Sequence, residues 1–215
     1  MAELLAQRRY VVDSVYALES WTHNAAPGTD VPLTVVTPRE LSRISQLTTP
    51  NEVLAVVDQL PPDDQAPDLR GSWNLYLDGI QSPSNLGALL RIADWFGFGT
   101  VVAGPGTADL YNSKSIQASM GSFLRLDYRE ADLSRLVAAH PDLPVYGADL
   151  AGRDVYALAS PAPGVLVIGA EGPGIRPDTR PYVQQWLTIP RAPGRQAESL
   201  NAAVAAGILC SALRR

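Results

Sequence analysis

Over the last two thirds of the chain, short apolar segments alternate with segments of helical periodicity, and this alternation limits the possible folds. WNLYLDGI (73–80) and TVVAG (100–104) have the composition of buried strands, and they flank a predicted helix over about 85–96. VLVIG (165–169) and WLTIP (186–190) predict two more strands. Because strands that alternate with helices form parallel sheets, we predict an α/β domain with a mostly parallel sheet and helices on both faces. Weaker patterns add strands near 124–127 and 145–148, with a helix near 133–139 between them.

The N-terminal part predicts a shorter α/β segment. Apolar strands are expected near 33–36 and 53–57, with a helix between them that starts at about Pro38. Thr37 and Glu40 have the spacing of a capping box around that proline, and this combination favours a helix start.

A linker is predicted between the two parts. Proline and acidic residues cluster in PPDDQAPDLRG, from 61 to 71, where they interrupt the apolar patterns on either side. We therefore divide the chain into a short N-terminal α/β segment (1–60), the linker (61–71) and a main domain (72–215).

Composition excludes several classes of protein. A hydrophobic content of 46% with 18% charged residues excludes a disordered chain. No apolar run approaches the roughly 20 residues that cross a bilayer, and no targeting pattern opens the chain, so we expect a cytoplasmic protein without membrane contacts.

The only cysteine, Cys210, lies in an apolar run and is expected in the core. His23 and His140 match no metal-ligand spacing, so no metal is expected.

The first candidate motif is QSPSNLG (81–87), at a predicted strand-to-helix junction, with Arg91 two turns into the helix. Ligands of open α/β sheets bind at the carboxyl ends of strands, so this loop is in a suitable place for a site. The alternative is that Ser82, Ser84 or Asn85 only caps the helix and that Arg91 is an exposed surface residue.

The second motif, GAEGPG (169–174), directly follows a predicted strand. Its three glycines allow the backbone to approach a ligand closely, and Glu171 adds an acceptor. The spacing is GxxGxG rather than the GxGxxG of dinucleotide-binding loops, and Pro173 lacks an N–H donor. An ordinary tight turn explains this motif equally well.

The third motif begins at Ile189-Pro190 and continues through a polar loop to ESLN (198–201). Ser199 or Asn201 could simply cap the helix that follows. That helix, predicted over 198–213, is apolar nearly all round, so it is expected to be buried inside the domain or against another subunit.

Together the three loops resemble a known family. The ordered set NLGALLR, VIGAEGPGI and IP with ESLNAAVAAGI is similar to the three signature motifs of the SpoU/TrmH family of RNA 2'-O-ribose methyltransferases, within the SPOUT superfamily. NSKSIQASMG (112–121) also resembles the segment between the first two motifs, so the likeness covers about 73–213. It implies a C-terminal trefoil knot, an exception to the rule that chains are unknotted, with S-adenosylmethionine bound in the knot loops. It also implies a homodimer formed through the knotted domain.

The resemblance implies roles for individual residues. Cofactor contacts fall on Gly169, Glu171, Gly172, Ile189, Leu200 and Asn201. Catalytic roles fall on Asn85, Arg91, Ser199 and Asn201. The implied substrate is a ribose 2'-hydroxyl of ribosomal or transfer RNA.

This chemistry suits the residue types present. The sulfonium of the cofactor is already a good leaving group, so the enzyme has only to align a ribose hydroxyl with the methyl carbon and ease its deprotonation. The family assigns that role to the arginine at position 91. Because arginine is a poor proton acceptor, we favour a role for Arg91 in orienting the hydroxyl or the adjacent phosphate and in stabilising oxyanion character.

The chain departs from the family pattern in two places. The loop 190–198 is about two residues longer than usual, which affects the register of the predicted Leu200 contact. LSRISQLTTPNEVLAVV (41–57) is similar to part of the family's small ribosomal-protein-like RNA-binding domain, but the N-terminal segment is much shorter than that domain.

Arginines give a second indication of RNA binding. The formal net charge of -5 argues against non-specific coating of nucleic acid, and Lys114 is the only lysine among 17 basic residues. A biased genome composition would produce the same excess of arginine. Yet Arg176 follows the second motif, and Arg191 and Arg195 lie inside the third. With Arg91, they predict a local basic cleft for RNA if the loops meet.

Two other functions stay open from the sequence. One is an RNA-binding or ribosome-assembly protein that keeps the fold without catalysis. The other is a methyltransferase of the same fold that modifies a base nitrogen.

Overall fold

The computed structural model describes residues 1–22, 31–61 and 65–214. The chain divides into two compact units, Met1–Pro62 and Asp63–Arg215. His23 and residues 62–64 of the predicted linker lie outside the described residues. No helix in the described ranges is long and apolar enough to cross a membrane.

The first unit contains a three-stranded sheet. Its elements are α1 (Ala2–Ala6), β1 (Val12–Ala17), α2 (Glu19–Thr22), β2 (Leu33–Val35), α3 (Pro38–Ile44) and β3 (Val53–Val57). Strand β1 is central, parallel to β2 and antiparallel to β3. The predicted capping box of α3 is confirmed: the Thr37 hydroxyl accepts from the Glu40 N–H (3.3 Å), and the Glu40 carboxylate accepts from the Thr37 N–H (2.8 Å).

The second unit contains a six-stranded sheet in the order β6-β5-β4-β8-β7-β9, and every pair in it is parallel. The predicted mostly parallel sheet is thereby confirmed. The strands are β4 (Asn74–Asp78), β5 (Thr100–Ala103), β6 (Asp127–Glu130), β7 (Val145–Asp154), β8 (Val165–Gly169) and β9 (Gln185–Thr188). The helices are α4 (Pro83–Phe96), α5 (Ser113–Ser119), α6 (Leu133–Ala139) and α7 (Ala202–Leu213).

Helices cover both faces of this sheet, as predicted. On central strand β4, Leu75 and Leu77 pack in the layer that contains the buried residues of α4 and α7. Tyr76 packs in the opposite layer with Leu133 and Leu136 of α6. Because successive side chains of a strand point to opposite faces, an apolar strand such as β4 supports both layers at once.

Two predicted elements are displaced in the structure. The strand predicted near 124–127 is wrong by three residues, because 122–124 form a turn of 3-10 helix and β6 begins at Asp127. Backbone hydrogen bonds from Leu124 to Gly121 (3.0 Å) and from Arg125 to Ser122 (3.0 Å) close that turn. The apolar residues of the prediction therefore pack under a turn rather than in the sheet.

The helix predicted over 198–213 begins four residues later than expected, at Ala202. Its buried side includes Ala206, Leu209 and Cys210, the last fully buried. Burial raises the pKa of the Cys210 thiol to about 12, so the thiol stays protonated at neutral pH. The expected core position of this cysteine is confirmed.

Part of the predicted linker belongs to the packed second unit. Pro67 and Leu69 are buried, and the Pro67 carbonyl oxygen is 2.8 Å from Nε2 of His140. The side chain of buried Asn74 also donates to the Leu69 carbonyl (2.8 Å). The packing of this unit therefore begins before residue 72, where the predicted main domain starts.

Candidate active site

The loop of the first motif follows β4 at the carboxyl edge of the sheet. Gly79 has a φ of +73°, a left-handed conformation that favours glycine, and Ile80 is buried with 2% of its surface exposed. The Ser82 hydroxyl accepts a hydrogen bond from the Asn85 backbone N–H (3.4 Å), so Ser82 is the N-cap of α4. The interpretation of Ser82 as a helix cap is confirmed, which leaves the side chain of Asn85 for other contacts.

The side chain of Glu171 joins all three motifs. Its Oε1 accepts hydrogen bonds from Asn85 Nδ2 (2.9 Å), from Asn201 Nδ2 (2.5 Å) and from the Ala202 backbone N–H (3.3 Å). Asn201 Nδ2 also donates to Asn85 Oδ1 (3.1 Å). We call Asn85, Glu171 and Asn201 the motif cluster. Oε2 of Glu171 accepts no hydrogen bond from any residue that the structure describes.

Asn201 is both a helix cap and a member of the cluster. Its Oδ1 accepts from the backbone N–H groups of Ala203 (3.0 Å) and Val204 (3.2 Å), which have no partner inside α7. Its Nδ2 donates to the cluster at the same time. Capping α7 therefore does not prevent Asn201 from joining the cluster, because the oxygen and the nitrogen of its carboxamide have separate partners.

The glycines of the second motif build the turn that carries Glu171. The Gly174 N–H donates to the Ala170 carbonyl (3.0 Å), and a Cβ on Gly169 would overlap the Gly174 carbonyl carbon. Gly172 and Gly174 have φ values of +89° and +70°. A Cβ at either of these two positions would meet no atom within 4 Å, so the outer side of the turn is open. The motif therefore forms a tight turn, and this geometry is compatible with a ligand on its open side.

A buried carboxylate that was not predicted from the sequence anchors the chain after this turn. Asp78 is fully buried, and it accepts hydrogen bonds from the Arg176 N–H (2.6 Å), from Arg176 Nε (2.8 Å) and from the Thr179 hydroxyl (2.9 Å). Partial burial alone would lower the pKa of Arg176, but the hydrogen bond and charge of Asp78 raise it. An aspartate at the end of an apolar strand was the signal, because a buried charge requires a partner.

The segment 112–121 contains α5, which packs against the helix of the first motif, α4. A Cβ on Gly87 of α4 would overlap the Ser115 carbonyl oxygen and lie 2.6 Å from Ala118 Cβ. Ser115 and Ser119 of α5 are fully buried at this contact. The glycine and the small residues therefore let two helices approach closely, and this packing fixes α4.

The remaining predicted residues lie outside the motif cluster. Arg91 is exposed on α4, and it makes no hydrogen bond or ion pair with any described residue. Ser199 and Leu200 are exposed in the loop before α7, whereas Ile189 is partly buried against the core. Arg191 donates to the Ala197 carbonyl (2.9 Å) within that exposed loop, which also carries exposed Arg195. Arg176 has the internal partner described above.

A pocket of about 260 Å³ lies between the first-motif loop (80–85) and the second-motif turn (170–173). Asn85 and Glu171 of the cluster form part of its wall. The pocket is therefore at the carboxyl ends of adjacent strands β4 and β8, the edge where α/β sheets bind ligands. Among the described residues, no group of three or more His, Cys, Asp or Glu side chains is arranged to hold a metal ion.

Residues 72–211 match the model of the SpoU rRNA Methylase family. The chain is 32% identical over 176 residues to the 23S rRNA (guanosine(2553)-2'-O)-methyltransferase RlmP of Bacillus subtilis, covering 80% of this chain and 68% of that one. It is 36% identical over 183 residues to a 23S rRNA (uridine(2479)-2'-O)-methyltransferase of Streptomyces viridochromogenes, covering 77% of this chain and 61% of that one. The chain thus spans about two thirds of the length of these relatives.

Solved structures show the same fold. A proposed RNA methyltransferase of the TrmH family from Porphyromonas gingivalis superposes with a TM-score of 0.86 at 35% identity, over 99% of this chain and 85% of that one. The SpoU methyltransferase AviRb from Streptomyces viridochromogenes, in complex with the cofactor AdoMet, superposes with a TM-score of 0.83 at 25% identity, over 95% of this chain and 83% of that one.

Proposed function

The chain belongs to the SpoU rRNA methylase family, and from that premise we propose that it is an S-adenosylmethionine-dependent RNA methyltransferase that modifies a ribose 2'-hydroxyl of ribosomal or transfer RNA. The observation that carries the proposal is the motif cluster, in which one carboxylate oxygen accepts hydrogen bonds from the first and third motifs. Three loops far apart in sequence thereby form one site at the ligand-binding edge of the sheet.

S-adenosylmethionine fits beside this cluster. The outer side of the turn at Gly172 is open, and the loop that carries Leu200 is exposed. Gly169, Gly172, Ile189 and Leu200 would hold the cofactor, with Glu171 and Asn201 at the boundary of its site. When bound, its sulfonium supplies an electrophilic methyl group. No metal is needed for this transfer.

The residues of the chain would orient the nucleophile. Glu171 Oε1 is occupied by N–H donors, so Oε2 is the oxygen available to accept a hydrogen bond from a ribose hydroxyl. Arg91 has a permanently charged guanidinium with no internal partner among the described residues, which suits it to a phosphate or to a developing oxyanion. Ser199 would contribute a further hydroxyl from the exposed loop.

The C-terminal loops would form the trefoil knot. Strand β9 is at one edge of the sheet, whereas α7 packs against α4 and β8. The connection over residues 189–201 must therefore return from the edge strand toward the centre of the sheet. Such a crossing at the carboxyl edge is the arrangement that a knot in this region requires.

A homodimer would form through the same domain. Helices α4 and α7 pack side by side, and each has a large apolar side chain exposed, Trp95 (83%) on α4 and Val204 (51%) on α7. Large exposed apolar side chains on neighbouring helices indicate an interaction surface. A second copy of this chain would cover it.

RNA would contact the exposed loops and the first unit. Arg191 and Arg195 are exposed in the loop before α7 and would contact phosphates, whereas Arg176 would contribute less because Asp78 holds its Nε. The N-terminal segment (1–60) would add RNA affinity to the main domain. The enzyme would meet an RNA substrate of this kind in the cytoplasm.

Transfer of labelled methyl groups from S-adenosylmethionine to bulk cellular RNA tests the proposal. Nuclease digestion and mass spectrometry of the nucleosides are expected to give a 2'-O-methylnucleoside. A base-methylated nucleoside would instead identify an enzyme that acts on a base nitrogen. RNA binding without any transfer, by folded protein that binds the cofactor, would identify an RNA-binding or ribosome-assembly protein.

A further inference from the structure

The pocket beside the motif cluster has walls that the proposed cofactor site does not use. One wall is the first-motif loop with Ile80, Gln81 and Ser82, and the other includes Ala170 and Pro173 of the second-motif turn. Neither Ile189 nor Leu200 lines it. The pocket therefore has space for a ligand group other than the part of the cofactor held by the third motif.

Gln81 is held in place by its neighbours in the chain. Ile80 is buried, and its carbonyl accepts from the Ala108 N–H (2.8 Å), while Ser82 caps α4. Between these two anchors, Gln81 is exposed, and its carboxamide makes no hydrogen bond with any described residue. It offers two donors and one acceptor at the pocket wall.

The charge and shape of the pocket select the kind of ligand. Glu171 is the only ionisable residue in its lining, so a phosphate or another anion would meet a negative charge and no cation. Ile80, Ala170 and Pro173 provide apolar surface next to the carboxamide of Gln81. A neutral planar group with hydrogen-bonding edges matches this combination, and in RNA that group is a base.

We propose that this pocket receives the base of the target nucleotide, splayed out of the RNA, and that Gln81 is the residue that reads its edge. The inference rests on the proposed ribose methylation. With the base beside Gln81, the attached ribose lies toward Glu171, whose Oε2 is available to the 2'-hydroxyl. The amide donors and acceptor of Gln81 discriminate between bases, because an unmatched edge leaves a polar group unpaired.

The test compares Gln81→Ala and Gln81→Glu with the wild type. The substrates are bulk cellular RNA and four RNA hairpins that differ only in one loop nucleotide (A, C, G or U). We expect Gln81→Ala to lower kcat/KM on the preferred RNA by about tenfold or more and to weaken the preference among the four hairpins. Gln81→Glu keeps the size of the side chain but removes both donors, so it should change the order of preference. The dissociation constant of S-adenosylmethionine, measured by calorimetry, should stay unchanged in both variants.

Gln185→Ala is the matched control, because Gln185 is an exposed glutamine at the amino end of β9. It should leave both rate and preference unchanged. Weaker cofactor binding by Gln81→Ala would overturn the inference, since the pocket would then hold part of the cofactor. An unchanged rate and an unchanged preference would also overturn it while leaving ribose methylation in place. A wild-type protein that methylates no RNA would remove the proposed function and the inference together.

Discussion

Nδ2 of Asn201 donates a hydrogen bond to Oδ1 of Asn85 at 3.1 Å, although the two residues are 116 positions apart in the chain. Both side-chain amides also donate hydrogen bonds to Glu171. Asn85 lies in the first turn of α4, and Asn201 is the N-cap of α7. The two helices pack against each other. The contact therefore links the starts of two parallel-running helices through one carboxylate. Its disruption should affect chemistry before it affects folding, because Glu171 and Asn201 are exposed and Asn85 is only partly buried.

Glu171→Gln should lower methyl transfer by at least about tenfold. The variant keeps one carbonyl oxygen for the asparagines but loses the charge, and hydrogen bonds to a charged acceptor are about twice as strong as neutral ones. Initial rates with labelled S-adenosylmethionine measure the effect. Glu130→Gln is the matched control, because Glu130 is an exposed glutamate at the carboxyl end of β6 and outside the cluster. Equal rates for the two variants would remove Glu171 from the mechanism.

Arg91→Ala should lower methyl transfer by orders of magnitude while cofactor binding persists. Arg91 is exposed and has no internal partner among the described residues, so its removal should leave the fold intact. The rate and the dissociation constant of S-adenosylmethionine are measured on the same preparation. Arg135→Ala, which removes an exposed arginine from α6 on the opposite face of the sheet, is the control. Unchanged turnover in Arg91→Ala would contradict the assignment.

Local sequence patterns predicted most of the fold. The strands of the central sheet, the capping box at Thr37 and the capping role of Asn201 all depend on neighbours within four residues, which the sequence displays directly. The strand near 124–127 was misplaced because its apolar residues pack under a turn, and apolar composition alone does not distinguish a turn from a strand.

The site was predicted as three separate loops rather than as one cluster. The order of the strands decides which loops meet. No local pattern predicts that β4 pairs with β8, in which Asn74 lies opposite Val165, 91 residues later in the chain. The ion pair between Asp78 and Arg176 also depends on the pairing of β4 with β8. The close approach of Gly87 to α5 likewise depends on tertiary packing, so this glycine was assigned only to the family motif.

Trp95→Asp should convert a dimer into a monomer. Trp95 is 83% exposed, so the substitution costs the isolated fold little, but it places a charge in the surface that we assign to the second copy. Sedimentation velocity measures the oligomeric state. Leu150→Asp, at a 73% exposed position on β7, is the control and should remain dimeric. A monomeric wild type would contradict the proposed homodimer.

Acid should destabilise the second unit through Asp94. Partial burial alone would raise the pKa of Asp94, but hydrogen bonds from Arg125 (2.6 Å) and Ser122 (2.8 Å) outweigh it, so the pKa lies below its usual value. A carboxylate with a lowered pKa stabilises the folded state above the unfolded-state value of about 4. That stabilisation is lost as the pH falls through the folded-state pKa.

Asp94→Asn should therefore lower the free energy of unfolding at neutral pH by about 0.5–1 kcal/mol, the range for a partly exposed ion pair. The difference from the wild type should shrink as the pH falls below about 4. Urea denaturation at several pH values measures it. Asp142→Asn, at an exposed aspartate with no hydrogen bond to a described residue, should show no such pH-dependent difference.

Gly87→Ala and Gly207→Ala should change stability in opposite directions, although both replace a glycine in a helix. At Gly87 the new methyl group would overlap the Ser115 carbonyl oxygen and crowd Ala118 Cβ, so α4 and α5 must move apart. Overpacking of this kind costs about 1–3 kcal/mol. At Gly207 of α7 the nearest atom is Ile92 Cδ1 at 3.8 Å, an ordinary contact. There alanine should stabilise the fold by about 0.5–1 kcal/mol, because it restricts the unfolded chain more than glycine does. Thermal and urea unfolding measure the stability of the two variants relative to the wild type. An unchanged stability of Gly87→Ala would show that α4 packs on α5 more loosely than this contact requires.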